Sequence, residues 1–153
     1  MKTYNVKFVS QAHSIALIFL LLVTFFAVAG TFFPLQNRFF SALLIIAFIA
    51  IAYLSWQKFV TGRTEWIIDE SGINMKWIKS FAFSDSKDLK LNWKEIKNIS
   101  QGLDPKYDTI KIKLTTGETL KFYHDNLTTK DDYEEFKKLL YQSFYKRTQL
   151  EKK

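Results

Sequence analysis

The sequence predicts an α+β membrane protein: an N-terminal two-helix transmembrane hairpin, then an antiparallel β-domain closed by one C-terminal helix. Three observations predict it. Residues 14–33 and 39–57 hold no charged side chain, and at 1.5 Å per residue about 20 apolar residues span a hydrocarbon core of about 30 Å. From Thr64 the apolar period falls to two, the spacing of a half-buried strand. Near the C-terminus it lengthens to a helical stripe ending in basic residues. The boundaries that follow are a cytoplasmic N-terminal segment (1–13), a first transmembrane helix (14–33), an external loop (34–38), a second transmembrane helix (39–60), a cytoplasmic domain (64–148) and a tail (149–153).

Charge divides the chain at the same place. The mean hydropathy of −0.08 averages an apolar first part with a charged second part. No acid precedes Glu65, so all 15 acids lie in residues 61–153 with 18 of the 22 basic residues, a surplus of three. That is too mild for a nucleic-acid-binding face. The absence of cysteine rules out disulfides, thiolate metal sites and thiol catalysis.

Lys2 and Lys7, an apolar run and Ala27-Val28-Ala29 before Gly30 also fit a signal peptide. Against that reading, the run continues to spanning length and a second span follows after five residues. Lys2 and Lys7 precede the first span and Lys58 and Arg63 follow the second, with only Arg38 between, which places both termini in the cytoplasm. Tyr53 and Trp56 sit at the depth of an aromatic belt, with Lys58 snorkelling to the headgroups; all three are expected interface anchors. Thr24, Thr31, Ser41 and Ser55 can bond back to their own helices. With no ionisable group in mid-membrane, transport and voltage sensing are not expected. Ala27, Gly30 and Thr31 facing Ala42, Ala47 and Ala50 offer a close approach of the two helices.

In the domain, Trp66 and Ile68, then Ile73, Met75 and Trp77, alternate about Asp69-Glu70-Ser71-Gly72. This predicts a hairpin pairing Ile68 with Ile73 and Trp66 with Met75. Residues 80–88 read as a strand end and a variable loop. Leu89 and Leu91 lead into Trp93, Ile96 and Ile99, read as strand, tight corner and strand, and residues 101–105 as a loop. Residues 108–123 form the clearest hairpin. With Gly117 left-handed, Leu114 meets Glu118, Ile112 meets Leu120, Ile110 meets Phe122, and Lys111 meets Lys121 on the outer face beside Lys113. Thr129 and Asp132 approximate a capping box. Tyr133, Phe136, Leu140 and Phe144 make the stripe of a helix of about eighteen residues, with acids at its start and bases at its end.

Strand hairpins, a W-x-x-I-x-x-I segment and one terminal helix in this order resemble the bacterial pleckstrin-homology (PH)-like domain. More narrowly, the chain is similar to small bacterial membrane proteins with two N-terminal helices and a YcxB-like PH domain. The likeness is carried by Asp69 to Ile73, Leu91 to Ile96, Ile110 to Gly117 and the helix through Glu134 and Leu140. It implies a PH-like, partly open antiparallel β-barrel of seven strands capped by the helix, in the cytoplasmic membrane of a bacterium. Six strands are legible, and 81–86 is either where the chain departs from the family pattern or where the seventh strand lies. The resemblance brings no catalytic residues.

Function follows by weighing what remains. His13 reads as interfacial, with no second ligand near it. His124 beside Asp125 reads as a polar strand end in the absence of a nucleophile motif. Asp131, Asp132, Glu134 and Glu135 read as a helix N-terminus before any metal, and the scattered glycines form no phosphate loop. No enzyme activity, cofactor or metal is expected. Lys111, Lys113 and Lys121 are the candidate contact for anionic lipid headgroups, with a solvated sheet face as the plain alternative. The expected role is a membrane-anchored, non-enzymatic module that engages a protein partner or senses the membrane surface. The alternatives are a structural subunit assembled through the hairpin and an enzyme centred near His124.

Overall fold

The computed structural model describes residues 2–32, 38–84, 86–103, 106–125 and 131–150. The chain divides into two compact units. One is Ser10–Thr61, and the other joins Met1–Val9 to Gly62–Lys153.

The first unit holds helices α1 (Gln11–Phe32) and α2 (Arg38–Ser55), the second prolonged by a π-helical turn, Trp56–Val60. Both spans, Gln11–Thr31 and Phe39–Val60, are long and apolar enough to cross a membrane, and few of their side chains are buried. α1 starts three residues earlier than expected because Ser10 caps it: its carbonyl accepts the Ser14 amide (2.9 Å) and its hydroxyl contacts His13. Thr24 and Thr31 donate to the carbonyls of Leu20 and Ala27, which satisfies them without a partner helix. Phe25 meets Phe48 across the hairpin at 5.4 Å. A Cβ on Gly30 would meet nothing within 4 Å, so this glycine is not the close-approach point expected. The expected external loop falls almost entirely outside the described residues.

The second unit is a seven-stranded antiparallel open sheet with one helix. Its strands are β1 (Thr3–Val9), β2 (Thr61–Ile68), β3 (Gly72–Lys79), β4 (Leu89–Asn92), β5 (Ile96–Leu103), β6 (Tyr107–Leu114) and β7 (Thr119–Asp125), followed by helix α3 (Tyr133–Leu150). Their order across the sheet is β4-β3-β2-β1-β7-β6-β5. The seventh strand is thus β1, at the N-terminus and in the middle of the sheet. Residues 80–84 and 86–88 carry no strand. A domain confined to 64–148 misses this central strand, and residues 1–13 are no mere leading segment. Tyr4, Val6 and Phe8 alternate inward and are buried. Phe8 packs against Trp66, Phe122 and Tyr133 at ring distances of 6.0, 5.3 and 6.4 Å. Cleavage after Ala29 would remove this strand, which weighs against the signal-peptide reading.

The expected registers hold: Trp66 pairs with Met75, Ile68 with Ile73, Ile110 with Phe122, Ile112 with Leu120 and Lys111 with Lys121. Gly117 adopts φ +94°, and the Leu114 amide donates to the Glu118 carbonyl at 2.8 Å. The corner is a 3-10 turn, Trp93–Glu95, closed by a capping box between Asn92 and Glu95. The three-residue spacing of Ile96 and Ile99 comes from a bulge at Lys97, which turns both isoleucines inward. β5 then continues through Leu103, so Gln101 to Leu103 are strand rather than loop; Gln101 pairs with Ile110 and Leu103 with Asp108. Tyr133, Phe136, Leu140 and Phe144 all lie buried in the core that α3 shares with the sheet. The helix runs to Leu150, past the expected boundary, and the expected cap at Thr129 lies outside the described residues.

Candidate functional site

The start of α3 is tied to β1 by backbone bonds. β7 pairs with β1 at Val9 and Tyr123, and its last residue is Asp125. Beyond that point Asp131 and Asp132 take over. The Lys7 amide donates to Asp131 Oδ2 and the Asn5 amide to Asp132 Oδ2, both at 2.8 Å, while the Asp132 amide donates to the Asn5 carbonyl at 3.1 Å. Of the four acids read as a helix N-terminus, Glu134 and Glu135 occupy the first turn. Asp131 and Asp132 precede it and satisfy central-strand amides that would otherwise lack acceptors.

His124 finds its carboxylate here. Nε2 lies 3.1 Å from Asp131 Oδ2, and the imidazole stacks on Tyr133 at 3.8 Å with the rings 5° from parallel. The side chains of His124 and Asp131 are only 10% and 8% exposed. Burial alone raises the Asp131 carboxyl pKa, but hydrogen bonds from His124 and the Lys7 amide outweigh it and hold the group below its ordinary value. Lys137 Nζ lies 5.1 Å from the Tyr133 ring centroid and donates to Asp108 (2.6 Å) and Glu134 (2.9 Å), while Gln101 donates to Asp108 at 2.9 Å. Burial opposes ionisation of both Asp108 and Lys137, yet their mutual bond lowers the acid and raises the amine. Burial and the Asp108 carboxylate push the Tyr133 phenol far above its usual range. These contacts fasten α3 to β1, β6 and β7. They give His124 a structural task.

Lys111, Lys113 and Lys121 come together as expected. Lys111 pairs directly with Lys121, and Lys113 with Thr119 on the last rung before the turn. Among the described residues none of the three makes an ion pair. The topology adds their position. Because β7 runs antiparallel to β1 with Tyr123 opposite Val9, Lys121 and the 115–118 turn lie past the end of β1, at the edge where the chain departs into α1. The anchors expected at the interface are on α2 and its π-helical extension: Tyr53 and Lys58 are exposed, Trp56 is half-buried, and Lys58 Nζ lies 5.7 Å from the Phe59 ring. Among the described residues no three His, Asp or Glu side chains gather as a metal site.

The feature sequence reasoning missed is β1, although Tyr4, Val6 and Phe8 alternate with Thr3, Asn5 and Lys7 in a plain strand pattern. Comparison with family models, curated proteins and solved structures finds no match to this chain.

Proposed function

We propose that the chain is a membrane-anchored, non-enzymatic module whose PH-like domain reads the charge of the bilayer its own hairpin spans. The observation that carries this is the place of the hairpin. It is inserted between two sheet strands, with one residue between β1 and α1 and none between the π-helical turn and β2. A domain tethered twice without a linker works within reach of the headgroups, where weak contacts suffice because the tether raises their effective concentration. Seven strands in this order with a terminal helix over the inner face support the PH-like reading. Lys2 and Lys7 before the first span and Lys58 and Arg63 after the second support a cytoplasmic location for the domain, in the cytoplasmic membrane of a bacterium.

At about 1 kcal/mol for each lysine near an anionic surface, Lys111, Lys113 and Lys121 together shift the docked-to-undocked ratio about 100-fold. The test uses full-length protein in nanodiscs with a fluorophore on Thr116→Cys, the chain having no native cysteine. Headgroup-located quenchers should quench it strongly in discs containing phosphatidylglycerol and weakly in phosphatidylcholine. Lys→Gln at all three positions should abolish the difference. Equal quenching in both lipids before mutation refutes the reading and leaves the lysines as a solvated face.

A further inference from the structure

We propose that the outer face of β5, β6 and β7 carries a discrete site for a phosphate dianion, clasped between Lys111 and Lys121. The ligand chemistry is that of a phosphomonoester, carried either on a lipid headgroup or on a small molecule in water. This rests on the reading of the lysine cluster as an anion contact and narrows it from the charge of a surface to one chemical group.

The registers join the three strands into continuous rungs. Asn98 pairs with Lys113 and Lys113 with Thr119, while Ser100 pairs with Lys111 and Lys111 with Lys121. Ile99, Ile110, Ile112 and Leu120, which alternate with them, belong to the core, so these six side chains lie on the opposite face. All six can donate a hydrogen bond, three are cationic and none is acidic. Asn98, Lys113, Thr119 and Lys121 are exposed, and Ser100 and Lys111 are half-buried. The β2–β3 ladder of the same sheet balances its charges instead, with Glu65 opposite Lys76.

The backbone sets the two lysines close together. The Leu114 amide donates to the Glu118 carbonyl at 2.8 Å and the Gly117 amide to the Leu114 carbonyl at 3.1 Å, so Leu114 turns its polar backbone groups away from β5. Alternation gives Ile112 and Ile110 the same orientation and Lys111 the opposite one. Lys111 and Lys121 are therefore a non-hydrogen-bonded pair, the kind whose Cα atoms approach to about 4.5 Å. Like charges directly opposite one another destabilise a sheet. The stem of Lys111 is also seated: a Cβ on Gly102 would lie 2.8 Å from Lys111 Cε and 3.0 Å from Thr109 Cβ. Lys111 thus lies over β5 in space that any other residue at 102 would contest. A bound dianion neutralises two opposed ammonium groups, whereas a phosphodiester neutralises only one. A phosphomonoester brings a charge of about −1.5 to −2 at pH 7 and three acceptor oxygens, which suit the two lysines and the Ser100 hydroxyl on their rung.

The test uses full-length protein in nanodiscs. In phosphatidylcholine discs, glycerol 3-phosphate is titrated by calorimetry. In a second arm, the fluorophore on Thr116→Cys reports docking, by headgroup quenching, on discs holding phosphatidic acid or phosphatidylglycerol at matched surface charge. Binding of glycerol 3-phosphate identifies a soluble source and a preference for phosphatidic acid a lipid one, and either result supports the site. Lys121→Gln should weaken that interaction at least about tenfold, yet raise the urea midpoint of the unliganded protein by removing the like-charge contact. Gly102→Ala should weaken it as well. Absence of glycerol 3-phosphate binding together with equal docking on both anionic lipids overturns the site and leaves the surface-charge reading standing. Docking on neither lipid while glycerol 3-phosphate binds removes the membrane reading and keeps the site; loss of all three interactions overturns both. Binding that Lys121→Gln leaves unchanged also overturns the site, because the phosphate then sits elsewhere.

Discussion

Phe8→Ala probes the most consequential feature of the fold, the N-terminal strand at the centre of the sheet. Phe8 is 1% exposed and touches three aromatic rings contributed by β2, β7 and α3. Truncation removes a fully buried ring at a point where those elements meet, and Phe→Ala changes in such settings cost about 3–5 kcal/mol. The whole stability of a domain this size is about 5–15 kcal/mol, so the variant should fold with little margin. With a slope of about 2 kcal/mol per molar urea, the midpoint should fall by about 2 M. The assay is urea unfolding of the full chain in nanodiscs, followed by near-ultraviolet circular dichroism of Trp66, which packs on Phe8. Thr3→Ala, at an exposed position of the same strand, is the control and should leave the midpoint within error. If Phe8→Ala shifts the midpoint no more than Thr3→Ala does, β1 is not a core strand and the reasoning is refuted.

Other consequences can be checked with the same preparation. Asp131 has a depressed pKa when folded, so its contribution to stability is present above the unfolded value of about 3.9 and is lost as pH falls through the folded value. Asp131→Asn should destabilise the domain by about 1–3 kcal/mol at neutral pH and flatten the loss of stability below about pH 4; an unchanged acid-unfolding profile would contradict the β1–α3 clasp. A Cβ on Gly72 would lie 1.9 Å from the Leu91 carbonyl oxygen, a backbone atom of the neighbouring strand. Gly72→Ala should therefore displace β4, cost at least about 1–3 kcal/mol, and lower the urea midpoint more than Gly30→Ala, which meets nothing within 4 Å.

Much of this arrangement was legible in the sequence wherever the determining interactions are local. The β6–β7 hairpin declares itself because Ile110, Ile112 and Leu114 alternate up to a turn that needs Gly117, so a single register buries every large apolar residue. The stripe of α3 is equally plain. The bulge at Lys97 disguised a strand as a helical turn, since inserting one residue converts a spacing of two into a spacing of three. β1 went unread for another reason. Its partners lie more than fifty and more than a hundred residues away, and Lys2 and Lys7 already had a sufficient explanation as the basic flank of a span. Asp131 and Asp132 misled in the same way: the helix dipole accounts for acids at that position, and only the sheet topology shows that they accept the Asn5 and Lys7 amides. The lysine cluster was visible as a pairing, but its place at the edge where the hairpin departs depends on strand order.

The central claim is that the hairpin is inserted into one sheet, so that the residues before the first span and those after the second fold together. Val9 and Tyr123 are direct partners across β1 and β7, close enough for a disulfide if both are cysteine. In a chain without native cysteines, Val9→Cys/Tyr123→Cys should cross-link under mild oxidation in intact membranes, while Val9→Cys/Glu70→Cys should not. Efficient linkage of the first pair alone is the result the account predicts. Failure of that pair to link while the protein remains folded, or a mature chain that has lost its first residues, would contradict it.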